Sequence, residues 1–142
     1  MKLLAIAVSA AVLAATAASA DPIADRKAIM KDRAAELKVL GPIAQGKAPF
    51  DAATVLAELE KLGANAAKTD VDALWPAGSD TGDTKSSPRI WEDMAGFKAA
   101  MDKFKADAAA AAEAKPQDLQ SFQQVFGTVA ANCGGCHQKY RL

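Results

Sequence analysis

The chain predicts an all-α fold, an antiparallel four-helix bundle. Three observations carry that expectation. Four segments repeat apolar residues at steps of three and four, the period of one helix face. Each opens on a capping residue, a proline or both. No run alternates polar and apolar residues for long enough to make a strand. Helices of roughly 18 to 26 residues, with short turns between two of them, pack best as a bundle.

The first helix opens with Asp21 as cap and Pro22 at its first position, then carries Ile23, Met30, Ala34, Leu37 and Ile43. Gly41-Pro42 is expected to kink or end it. The second starts at Asp51, with Phe50 and Val55 spaced as a hydrophobic staple, and continues through Leu59, Leu62 and Ala66. The stretch DVDALWPAGSDTGDTKSSP, rich in Gly, Pro, Ser and Asp, reads as a loop. The third helix takes Ser87 as cap with Pro88 behind it. Its stripe, from Ile90 through Met94, Phe97, Met101 and Phe104 to Ala108, is the cleanest in the chain. The fourth is expected from Pro116 and carries Leu119, Phe122, Phe126, Val129, Cys133, Cys136 and Tyr140.

Residues 1–20 stand apart. Lys2, the apolar stretch Leu3–Val8 and the small residues Ala18 and Ala20 form the three zones of a secretory signal peptide, with cleavage expected after Ala20. A retained membrane anchor is the alternative, and the segment is alanine-rich and barely long enough for one. Residues 21–142 then form one domain, with 16 basic and 17 acidic side chains left once Lys2 is removed. No basic patch points to nucleic acid, and no second apolar stretch points to a membrane after cleavage. Aromatic residues are only 6% of the chain, so the core either packs very closely or is filled by something other than side chains.

Both cysteines and the single histidine fall within five residues, in CGGCH at 133–137. Cys133, Cys136 and His137 share one helical face. Two thiols to add to two vinyl groups, with an imidazole to bind iron, are what covalent haem attachment requires, and C-x-x-C-H is its signature. The alternatives fit less well. Three soft ligands packed this closely cannot make a tetrahedral zinc cage alone. A reactive dithiol belongs at a helix N-terminus, whereas this pair lies near a C-terminus. A plain disulfide leaves the histidine unexplained. A porphyrin inside the bundle also accounts for the scarcity of aromatic residues.

In these residues the chain resembles the class II c-type cytochromes, which include cytochrome c′ and its low-spin, methionine-ligated relatives. The pieces that carry the resemblance are DRKAIMK at 25–31, LWPAGS at 74–79, SPRIWEDMAGF at 87–97 and CGGCHQKYR at 133–141. The resemblance implies one haem c bound through thioethers at Cys133 and Cys136, with His137 as axial ligand. It also implies Arg26 near a haem propionate and Arg141 as the basic residue beside the histidine. A homodimer through the first two helices is common among such proteins, and no exposed apolar seam in the sequence picks it out.

The family position opposite the histidine is occupied by Met30. Met30 lies ~12 Å from the start of its helix and His137 ~8 Å from the chain end, so antiparallel packing sets them at similar heights. The expectation is His137/Met30 ligation, in the methionine-ligated branch, while Met94 and Met101 are read as core. That ligation suits a periplasmic carrier of single electrons between redox partner proteins. The alternative is a five-coordinate cytochrome c′ that takes nitric oxide or carbon monoxide at an open distal site. No nucleophile, general base or carboxylate pair is placed for substrate turnover, and Asp25 and Asp32 read as solvated helix faces.

Overall fold

The computed structural model describes residues 21–142, and the expected signal peptide at 1–20 lies outside them. Six helices follow in order: α1 (Pro22–Ala44), α2 (Ala52–Ala67), α3 (Val71–Leu74), α4 (Arg89–Glu92), α5 (Met94–Glu113) and α6 (Leu119–Tyr140). The four long ones, α1, α2, α5 and α6, form the bundle. The only β pairing among the described residues is an isolated antiparallel bridge between Ser86 and Arg141.

Contacts between helix ends set the directions. Ile29, early in α1, accepts a hydrogen bond from Asn65, late in α2. Gln123, early in α6, donates to the carbonyl of Ala44 at the end of α1. Lys139, at the end of α6, reaches Asp93 at the start of α5. These pairings require α1 to run antiparallel to α2 and to α6, and α5 antiparallel to α6. The up-down bundle expected from the sequence is present.

Local chemistry explains most boundaries. The Asp21 carboxylate accepts from the backbone N–H groups of Ile23 and Ala24, and Pro22 follows at the first position. Pro42 does not end α1, contrary to one sequence expectation. The helix runs two residues further and closes by a Schellman motif, with Lys47 N–H donating to Pro42 O and Gly46 N–H to Ile43 O. Gly46 supplies the left-handed conformation that this closure needs, at φ +68°. Asp51 caps α2 as expected.

Three further boundaries differ from the sequence reading. The 70–88 stretch is not wholly loop, because Asp70 caps the single turn α3. The expected third helix is broken at Asp93, which leaves helical geometry at φ −132°, ψ 55° and caps α5 through Gly96 N–H. Ser87 Oγ accepts from Arg89 N–H, but the cap position of the turn α4 falls on Pro88, not on Ser87 as expected. Pro116 does not open the last helix. Asp118 does, in a capping box with Ser121.

The core has two parts. Leu40, Val55, Leu59, Leu62, Phe122 and Val129 fill one end of the bundle, where Phe122 stacks on Phe126 at 5.3 Å between centroids. At the other end Trp75, Phe97 and Tyr140 meet edge-to-face at 4.8 and 5.1 Å. Met101 is buried in this second cluster and Met94 packs beside it, as core residues should. The apolar stripe expected on α1 holds only partly. Its buried residues are Arg26, Arg33, Glu36, Leu40 and Ile43, while Met30 and Leu37 are half-buried and Ala34 is exposed.

Candidate functional site

Those incompletely covered residues of α1 face a cavity of about 490 Å³ between the helices, within the range of cofactor sites. Met30, Ala34 and Leu37 line it from α1, and Phe97, Met101 and Phe104 from α5. Cys133, Cys136 and His137 line it from α6, with Arg141 just beyond. The cavity therefore gathers five of the six residues singled out in the sequence, and Arg26 supplies the sixth from its edge.

The end of α6 is held firmly. Ser87 N–H donates to Tyr140 O, and Leu142 N–H to Lys85 O, each at 2.9 Å. The Tyr140 hydroxyl donates to Asp93 at 2.9 Å. The Cys-x-x-Cys-His turn thus gains its rigidity from the 85–87 segment and from the α5 cap, although it lies one turn from the chain end.

Cys133 and Cys136 are free, half-buried thiols. Burial raises the pKa of both, while the Arg33 charge lowers it, and burial wins. A redox dithiol needs the opposite shift, so the pair does not have the setting of an exchange-active dithiol. His137 is exposed at the cavity mouth. Partial desolvation first, then the charges of Arg141 and Arg33, lower its pKa and favour the neutral imidazole that metals bind.

Arg26 does a second job that the sequence did not announce. It is 3% exposed and anchors the 74–84 loop. One terminal nitrogen donates to Leu74 O at 3.0 Å and Ser79 Oγ at 2.9 Å, and the other to Ser79 O at 2.6 Å and Thr84 Oγ1 at 2.8 Å. Its Nε is buried with no partner. Arg141 is exposed, in extended backbone conformation, with its N–H donating to His137 O.

Sequence reasoning missed Arg33, which lines the same cavity. Its nitrogens reach Asn65, Thr69 and the Met30 sulfur. The spacing Arg26–Met30–Arg33, four then three, was the available signal, because it puts both arginines on the face of Met30.

Two thiols, an imidazole and a thioether around an apolar cavity, with arginine and lysine side chains in its lining, fit a haem and its propionates. A covalent haem-binding helical bundle is the class that fold and site define. The cytochrome c′ family model matches residues 21–141, and the chain belongs to that family. It is 39% identical over 125 residues to cytochrome c′ of Rhodopseudomonas palustris, covering 87% of this chain and 84% of the relative. To cytochrome c-556 of Agrobacterium fabrum it is 37% identical over 124 residues, covering 87% and 83%. The solved structure of cytochrome c′ from Rhodopseudomonas palustris superposes with a TM-score of 0.79 at 38% identity, covering 87% of this chain and 98% of that one. The protein is a class II c-type cytochrome with covalently attached haem c, of a family that transfers electrons or binds gases. Among the described residues, no helix is long and apolar enough to cross a membrane.

Proposed function

We propose that the protein is a periplasmic monohaem electron carrier, with haem held by thioethers at Cys133 and Cys136 and iron bound by His137 and Met30. One observation carries the reading: the Met30 side chain and the Cys-x-x-Cys-His face of α6 line one cavity. The haem supplies a one-electron iron couple. The chain supplies two axial donors, which leave no vacant site and raise the potential. Arg26, buried at the cavity and bonded to the 74–84 stretch, is the residue that the family resemblance sets near a propionate. Arg141 is the basic residue beside the histidine. The signal peptide directs export, which gives the oxidising compartment.

The cavity mouth suggests the partner. Lys27, Lys31, Lys85 and Arg141 are exposed around it, with Asp83 as the one acid, and Asp83 is paired to Lys27. A basic rim on a chain of nearly balanced charge suits redox partners with an acidic docking face.

The likeness to a relative named cytochrome c′, at 39% identity, favours the second reading, a five-coordinate cytochrome that binds nitric oxide or carbon monoxide. Substituting Met30→Leu decides between the two. With ligation, the wild type is low-spin and slow to bind carbon monoxide, and the variant becomes high-spin and binds it at once. A wild type that is already high-spin and fast rejects ligation and leaves the gas-binding reading.

A further inference from the structure

Arg33 is a buried charge with no assigned task. It is 6% exposed and takes part in none of the six ion pairs found among the described residues. An aliphatic residue there would avoid the desolvation cost of a guanidinium.

Its placement is built from three helices. Nε donates to Asn65 Oδ1 at 2.9 Å, in α2, and one terminal nitrogen to Thr69 Oγ1 at 2.9 Å, just past its end. Asn65 in turn donates to Ile29 O at 3.0 Å, and Thr69 is fully buried. From α5, the Phe104 ring lies 4.3 Å from the guanidinium carbon. The remaining terminal nitrogen donates to Met30 Sδ at 3.6 Å. Glu36, one turn on, is the nearby carboxyl, and burial raises its pKa, which weakens it as a counter-charge. Arginine itself stays protonated.

We infer that Arg33 is a positioning residue for the haem centre, holding the Met30 thioether by an N–H···S bond and placing a fixed positive charge in the cavity wall that favours reduced iron. The inference rests on the haem occupying this cavity. A thioether sulfur has two lone pairs, so an N–H on one leaves the other for a metal. Reduction adds one negative charge to the centre, which a fixed cation stabilises. At an effective dielectric of about 20, unit charges about 10 Å apart shift a one-electron equilibrium by roughly tenfold.

The test is a redox titration of the holoprotein against a dye couple, with spin state read on the same samples. Arg33→Gln removes the charge and keeps a polar side chain with one donor nitrogen. It is expected to move the equilibrium toward oxidised iron by about tenfold, or about 59 mV. Arg33→Lys restores the charge and should return within about threefold of wild type, well short of the loss predicted for the neutral variant. An unmoved Arg33→Gln, or equal shifts in both variants, overturns the inference, since a packing role treats the two alike. If Arg33→Gln does not fold, Thr69→Val frees one guanidinium N–H at a distance from the cavity. It must then alter the haem spectrum, and an unchanged spectrum counts against the inference. The charge effect is readable in either spin state, so a high-spin wild type rejects only ligation by Met30.

Discussion

Arg26 offers the sharpest check on how the cavity is built, through Arg26→Met. The methionine fills much of the volume and removes every donor. Two acceptors keep other partners: Ser79 Oγ still donates to Pro76 O, and Thr84 Oγ1 still accepts from Ser86 N–H. The carbonyls of Leu74 and Ser79 lose the arginine bonds. Each buried acceptor left without a partner costs about 1–3 kcal/mol. The guanidinium also lies 5.7 Å from the Trp75 ring and 5.9 Å from Trp91, contacts worth about 0.5–1 kcal/mol each. Relief of its desolvation offsets part of the loss, which leaves a destabilisation of about 3 kcal/mol. Urea unfolding of the holoprotein, followed by helical circular dichroism, reads this directly. With a slope of about 2 kcal/mol/M the midpoint should fall by about 1.5 M. A fall under about 0.5 M at unchanged slope would show that the loop does not depend on Arg26, and the account of the cavity edge would be wrong.

Other consequences are testable with the same protein. Phe122→Ala, in the fully buried end of the core, should destabilise by about 3–5 kcal/mol yet leave the haem spectrum unchanged, because Phe122 lies outside the cavity lining. Hydrogen bonds from Lys139, then Tyr140, hold the Asp93 carboxyl pKa down to about 2. Its stabilising contribution is complete above the unfolded value near 4 and is lost as pH falls through about 2. Thermal melts between pH 5 and pH 2 should therefore fall less steeply for Asp93→Asn than for wild type, and parallel curves would contradict the assignment. A methyl group at Gly96 would collide with the Asp93 carboxylate, so Gly96→Ala should lower Tm by roughly 5 °C through loss of the α5 cap. Lys31→Glu and Lys85→Glu should slow electron exchange with an acidic partner at low salt, and the difference should shrink as salt is added.

The parts of this molecule legible in sequence were those governed by local periodicity and spacing. The stripes on α2 and α5, the caps at Asp21 and Asp51 and the shared face of Cys133, Cys136 and His137 all follow from helical geometry. What escaped were choices made by tertiary partners. Asp93 breaks a continuous apolar stripe because its carboxylate is needed by Gly96, Lys139 and Tyr140, and nothing near it in sequence signals the last two. Pro42 sits within the helix, and a glycine four residues later closes its end. Arg26 and Arg33 are buried where an apolar stripe was expected on α1, since a loop and α2 satisfy their donors from 32 to 58 residues away. The candidate site was visible as types and spacing, whereas Arg33 is set apart only by partners more than 30 residues away.

The proton spectrum of the reduced protein tests axial ligation most directly. A methionine bound to low-spin ferrous iron places its methyl group over the porphyrin, and ring current carries that signal far upfield of all others. The account predicts one such three-proton signal in wild type and its loss in Met30→Leu. A wild-type spectrum without it, or one in which it survives the substitution, contradicts ligation by Met30.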